Sequence, residues 1–427
     1  MMFKEKSLIT FLVVVYLIII SSIIYNRRSK ASDQPNQYQT VTFWHAGAGK
    51  ERVKTIKELI QKFEEENPEI KIKLKIIPWD QKPHEKIQIA IASKTEPDIA
   101  SVGTPFDQII SDFNAVESLD KYMDKETIDD FININRNQNK IVSVPWFTDV
   151  RALIYRKDLL AKKGIPEPTE SWTWEEFIRY ASALTEDNNN DGITDIFGYA
   201  TTARYAYQFV VFMWQNGSDL YSNDGKKAIV ASEQSIEAVQ FFVDLMKKHK
   251  VSPIFTTENL LIIRKMFAEG KIAMFMDCSD AANALTSEPA LTGKIGVGQI
   301  PHNKKFAAYA NSDALVIFRR SKNKKNAAKL LNFLIRPDNM LFYDKKTGFS
   351  PSRRSVADNP FFDKYPIKKA FIKQSACGKP WRMPPFTPSP RLILTRNIQM
   401  AIEGKFSVKE ALLKAEKKMN SEIGSLF

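Results

Sequence analysis

The spacing of apolar and polar residues divides the chain into recognisable elements. Val41–Trp44 is a short apolar run that predicts a strand. Val53, Ile56, Ile60 and Phe63 then share one face of a 3.6-residue period, and Asn67-Pro68 ends that helix. In "IKIKLKI", Ile70, Ile72, Leu74 and Ile76 alternate with lysines, the signature of a half-buried strand. It runs into Ile77-Pro78-Trp79. A helix over 82–94 and the apolar strand "PDIASVG" follow. Strands separated by helices predict a parallel or mostly parallel α/β sheet.

The middle of the chain changes character. "SVPWFTDVRALIYRKDLLAKKG" predicts two short strands and a helix closed by Gly164. The Pro-punctuated "IPEPTESWTWEEF" follows. There Ser171 or Thr173 caps the next helix, and Glu176, three residues after Thr173, completes a capping box. Helices dominate to about Glu269. From Asn326, helices alternate with Pro-rich loops.

The N-terminus differs from all of this. Leu8–Tyr25 is uncharged and long enough to span a bilayer, and it also fits the core of a long signal peptide. Lys4 and Lys6 precede it and Arg27, Arg28 and Lys30 follow, so charge sets no orientation. No Cys follows the run, which argues against a lipid anchor there. Residues 1–30 are therefore expected to be a signal peptide or membrane anchor, and 31–39 a polar linker. A chain of 427 residues, 44% hydrophobic and 26% charged, has ample material for two or three domains behind it. The net charge of +13 is scattered over polar faces, and no nucleic-acid motif accompanies it. Cys278 and Cys377 stand in no metal-type spacing, and both a disulfide and free thiols fit.

Candidate chemistry begins at "VTFWHAGAGKERVKTIKELI". The strand, Gly-Ala-Gly turn and helix resemble a phosphate-binding loop in outline only. A P-loop needs Gly where Trp44 stands and a hydroxyl where Glu51 stands, and a dinucleotide loop needs Gly at Arg52. Trp44 and His45 point instead to a ligand with a flat apolar face at a strand C-terminus. No H-E-x-x-H or G-x-S-x-G occurs. The four histidines, at 45, 84, 249 and 302, are widely spaced. "DNNNDGITD" places Asp187, Asn189, Asp191 and Asp195 as alternating hard oxygens around Gly192, an arrangement open to a structural calcium ion or to a solvated turn. Position twelve of an EF-hand loop would be Gly198, so a true EF-hand is excluded.

Several stretches together resemble one family. "FAEGKIAMFMDCSDA", "WTWEEF", "DGITDIFGYA", "FMWQNGSDLYSNDGKKA", "TGFSPSRRSV" and the opening "VTFWHA…KELIQKFEEENPEIKIKL" are similar, in matching order, to the extracellular solute-binding proteins of sugar ABC transporters, the maltose-binding-protein-like group. The likeness spans Val41 to the C-terminus. It departs at the absent lipobox Cys and at a common Gly pair, of which only Gly217 is present. The resemblance implies a two-lobed, hinged α/β fold with lobe one at 40–147 plus 294–348 and lobe two at 148–293 plus 349–427. It implies an extracytoplasmic, monomeric, non-enzymatic protein that hands a carbohydrate to a membrane permease. A tethered sugar sensor and a binder of an acidic or phosphorylated solute are the alternatives, and a glycan-processing enzyme is the rival of another class.

Sugar sites combine aromatic rings, which stack on pyranose C–H faces, with polar groups that satisfy hydroxyls. The aromatic candidates are Trp44, Trp79, Trp146, Trp214 and Trp381, with family position favouring Trp44, Trp146 and Trp214; core packing is the alternative for each. Trp172 and Trp174, at a helix start, read as structural. The polar candidates are His45, Asp107, Asp149, Asp277, Asn311 and Asp313, each of which also suits a turn or helix cap. Arg382 suits an acidic sugar or an exposed position.

Overall fold

Strand β1 (Gln39–Ala46) and the alternating run β2 (Ile70–Ile77) pair in parallel, with Val41 opposite Ile72 and Phe43 opposite Leu74. The computed structural model describes residues 38–47, 49–78, 81–132, 134–137, 139–169, 172–222, 225–381 and 390–424. The apolar N-terminal segment, Trp79, Ser171 and Arg382 lie outside them. Among the described residues, no helix is long and apolar enough to cross a membrane.

The remaining strands are β3 (Ile99–Gly103), β4 (Asn135–Asn137), β5 (Lys140–Val150), β6 (Ala152–Arg156), β7 (Met274–Asp277), β8 (Ile295–Gly298), β9 (Ala308–Ile317), β10 (Ser350–Pro351) and β11 (Gly378–Lys379). The larger sheet runs β10-β5-β9-β3-β1-β2, with β4 on β5 and β11 on β9. A second sheet, β7-β6-β8, is antiparallel throughout. The parallel expectation holds for β1, β2 and β3. The larger sheet becomes mixed because β9 inserts antiparallel to both β3 and β5.

Period-two alternation sorts the larger sheet's residues onto two faces. Val41, Phe43, Ile99, Leu315 and Ile317 enter one core with the helix Lys50–Glu66, which buries Ile56, Leu59, Ile60 and Phe63. Ala100, Val102 and Val316 enter the other with Ile87, Phe106 and Ile110. The second lobe has its own core, around β6, β7 and the helices Tyr207–Gln215 and Glu233–Lys247. Its entry helix, Trp174–Leu184, carries the expected box: Thr173 Oγ1 accepts from Glu176 N–H, and Glu176 accepts from Thr173 N–H at 3.0 Å.

The lobe boundaries differ from those expected. Residues 294–310 belong with lobe two, because β8 pairs β6 and Ile295, Ile300 and Ala307–Ala310 pack in its core. Phe349, Val356 and Phe362 pack in lobe one, because β10 pairs β5. The chain changes lobes inside β9 rather than in the loop before it, and pairing partners within one strand are invisible to a linear pattern.

Gly296 in β8 sits opposite Tyr155, and a Cβ there would come within 2.1 Å of the ring's Cζ. The ring is pinned, since its hydroxyl donates to Glu167 at 2.5 Å. Gly296→Ala is expected to cost about 1–3 kcal/mol in denaturant unfolding through overpacking, with partial recovery in Gly296→Ala/Tyr155→Leu. A single variant as stable as the parent would contradict this packing.

Candidate functional site

Two strands join the lobes. β5 ends at Val150, β6 begins at Ala152, and Arg151 alone separates them. β9 lies alongside, with Phe147 opposite Asp313 and Asp149 opposite Asn311, and with Arg151 N–H donating to Tyr309 C=O at 2.9 Å. Three cross-strand pairs therefore line the junction: Phe147–Asp313, Asp149–Asn311 and Arg151–Tyr309. Alternation puts each strand's members on one face.

From Tyr309 a ladder of rings extends through lobe two. Tyr309 stacks on Tyr207 at 5.0 Å between centroids and 17° between planes, and Tyr207 stacks on Tyr205 at 5.7 Å and 23°. On its other side Tyr309 is nearly parallel to Trp214, at 6.5 Å and 10°. Arg151 bonds Asp149 at 2.8 Å, and its guanidinium lies 4.9 Å from the Tyr207 centroid. Flat apolar faces beside an ion pair are what a sugar ring with hydroxyl edges needs. A cavity of about 210 Å³ opens here, lined by Arg204, Tyr205, Tyr207, Tyr309, Trp381 and Arg391.

Lobe one contributes a second buried pair. Arg52 donates to Asp313 at 3.0 Å and lies 4.7 Å from the Phe349 centroid. Its guanidinium fills the space beside Gly47 (φ +139°), where a Cβ would come within 2.9 Å of it. This turn sequesters an arginine rather than a phosphate. Burial raises the Asp313 carboxyl to about 6, against the opposing pull of Arg52 and with the Asp149 charge adding to the rise. Burial, with Arg52, holds His45 well below the usual histidine value. Across the junction, Asp277 is buried and accepts from Arg264 at 2.7 Å.

The sequence candidates divide accordingly. Asp149, Asn311 and Asp313 come together at the crossing strands, with Trp214 and Trp381 in the adjoining lobe-two core and Asp277 at the end of β7. His45 is fully buried in lobe one, bonded to Ser101 at 2.8 Å and edge-on to Trp146 at 5.5 Å. Trp146 is itself core, against Tyr343 at 4.5 Å. Trp44 packs on the opposite sheet face, under Lys75. Asp107 is buried within lobe one, accepting from Ser143. Trp79 and Arg382 lie outside the described residues. Asp187, Asn189, Asp191 and Asp195 share one loop, where the side-chain oxygens accept main-chain N–H groups: Gly192 to Asp187 at 2.8 Å, Asp191 to Asn189 at 3.1 Å, Ile193 to Asp191 at 2.7 Å and Asn188 to Asp195 at 2.7 Å. Among the described residues, no three His, Cys, Asp or Glu gather closely enough to hold a metal ion. Cys278 and Cys377 are free thiols.

Sequence reasoning missed Arg52, Arg151, Tyr205, Tyr207 and Tyr309. The signal was present for two of them. Counting by twos from Asn311 reaches Tyr309, and counting by twos from Asp149 reaches Arg151.

A sequence profile described as bacterial extracellular solute-binding protein matches residues 47–341. A binding protein of Brucella abortus is 28% identical over 71% of this chain and 74% of its own length. Among solved structures, maltose-bound MalE3 of T. maritima is 26% identical with a TM-score of 0.74, covering 90% of this chain and 99% of that one. The sugar-binding protein MalE of Xanthomonas citri superposes with a TM-score of 0.81 at 22% identity, covering 91% and 98%.

The raised Asp313 value fixes a sign. The folded protein holds that proton more tightly than the unfolded chain, so the residue favours folding at acid pH. That contribution is lost as pH rises from about 4 through about 6. Relative to the permanently neutral Asp313→Asn, the parent protein is expected to lose on the order of 2 kcal/mol of stability between about pH 4 and 7. Denaturant unfolding across that range measures it, and a pH-independent difference would refute it.

Proposed function

The chain belongs to the bacterial extracellular solute-binding protein family, and from that premise we propose that it captures a carbohydrate between its lobes and delivers it to an ABC permease. The observation that carries this reading is the ring ladder Tyr205–Tyr207–Tyr309 at the lobe junction, with Asp149, Asn311 and Arg151 beside it. A pyranose face lies on Tyr205, the outer rung of the ladder. Its hydroxyls reach Asp149 Oδ1 and Asn311 Oδ1, both buried and without a hydrogen-bond partner among the described residues. Each such bond removes a desolvation cost of roughly 1–3 kcal/mol.

Closure follows from the site's position. The ligand touches residues on both sides of Arg151, so it favours the closed angle between the lobes only by the contacts made there. The permease then reads the closed form. The protein acts as a monomer and leaves the glycosidic bond intact. The apolar N-terminal segment directs it across the membrane.

The maltose of the T. maritima relative and the galactooligosaccharide of a Bacillus subtilis relative, 23% identical over 88% of each chain, support a saccharide as the solute. The test is thermal unfolding of the full chain, in a detergent without a sugar headgroup, against mono- and oligosaccharides. A ligand at about 100 times its Kd adds roughly 2.7 kcal/mol. Tyr205→Ala is expected to weaken that ligand roughly tenfold or more. A folded protein that responds to no saccharide would sink the reading.

A further inference from the structure

The cavity beside the ladder has an unbalanced chemistry. Among the described residues, its lining contains two guanidinium groups, Arg204 and Arg391, and no carboxylate. The other arginines of the junction are each matched to an acid: Arg52 to Asp313, Arg151 to Asp149 and Arg264 to Asp277. Among the described residues, the Arg204 guanidinium bonds to a backbone carbonyl, that of Thr257 at 2.9 Å, and packs 5.8 Å from the Tyr205 centroid. Neither Arg204 nor Arg391 has an ion-pair partner among the described residues. Asp280 neighbours Asp149 and the guanidinium groups of Arg52, Arg264 and Arg151.

The unsatisfied polar atoms carry the same bias. Trp381 lines the cavity at 1% exposure, and its Nε1–H has no acceptor among the described residues. Nearby, Arg151 Nε and Trp214 Nε1 are also buried donors without acceptors among the described residues. Burial of an unpaired donor is costly unless a ligand supplies the acceptor. The free acceptors, Asp149 Oδ1 and Asn311 Oδ1, sit on the crossing strands. The site therefore has acceptors on its strand side and an excess of cationic and neutral donors on its helix side. Arg391 also acts across the cleft: with burial as the larger cause, its charge helps hold His84 of lobe one down at about 4.

Within the carbohydrate reading above, on which this rests, we infer that the solute is an acidic saccharide. One ring stacks on Tyr205, the outer rung of the ladder, with its hydroxyls toward Asp149 and Asn311, and an acid group on the same or the next ring meets Arg391 and Arg204. A planar guanidinium binds a carboxylate or a phosphate through paired N–H donors, so both acid groups suit the site. Both guanidinium groups stand exposed at the cavity rim, where an acid group gains charge-assisted bonds that a neutral saccharide does not.

Isothermal titration calorimetry of the full chain, in the same kind of detergent, separates the cases with three probes: digalacturonate, neutral galactobiose and glucose 6-phosphate. An acidic probe is expected to bind at least about tenfold more tightly than galactobiose, with an advantage that shrinks as salt rises. Tighter binding of digalacturonate assigns the acid group as a uronate carboxylate, and tighter binding of glucose 6-phosphate as a phosphate ester. Arg391→Gln should cut the acidic advantage to under about threefold, and Arg391→Lys should retain part of it. The salt dependence of the unmutated protein carries the test if either variant misfolds. Galactobiose binding as tightly as both acidic probes would overturn the inference and leave the carbohydrate reading standing. A folded protein that binds none of the three would overturn both.

Discussion

The antiparallel contact of β5 with β9 is the constraint on which the other features depend. Its register sets Phe147 against Asp313, Asp149 against Asn311 and Arg151 beside Tyr309. The upper half of β9, Leu315–Ile317, is built into lobe one, while Ala308–Ala310 belong to the core of lobe two. The strand that ties the lobes together thus presents the site's polar groups at the tie. A slip of one residue would turn all of them to the opposite face.

Charge at this crossing is arranged in pairs because burial leaves little alternative. Arg52 and Asp313 are each about nine-tenths removed from water, where a lone charge is far costlier than a paired one. The rings beside Arg52, Phe147 and Phe349, cover the guanidinium's faces while Asp313 takes its edge. The turn at Gly47 is open for the same reason, since only a residue without a side chain leaves room for that cation. A motif that resembles a nucleotide loop on paper is accounted for by an internal arginine.

Much of the fold was legible in the chain. The helix at 50–66, the alternating strand at 70–77 and the Thr173–Glu176 cap all follow from local periods and side-chain chemistry, which the final structure keeps. The site was legible only in part. Asp149, Asn311 and Asp313 sit on strands whose alternation could be read. Trp44, Trp146 and His45 lie apart from the crossing strands because an aromatic at a strand end can face either side of a sheet, and here both sides are core. Tyr205 and Tyr207 were hidden because their partner, Tyr309, is about a hundred residues away and nothing local announces the stack. The lobe boundaries were misplaced because the switch lies inside β9 and not at a loop.

The route of β9 also sets an order of assembly. Lobe one's central strands, complete in sequence by Gly103, have no neighbour on one flank until residues 313–317 arrive. Lobe two, by contrast, draws most of its core from the unbroken run between 150 and 310. As the chain lengthens from its N-terminus, the first lobe to be started is therefore the last to be sealed. Closing so long a loop is entropically slow, so the pairing of β3 with β9 is the late step in completing lobe one.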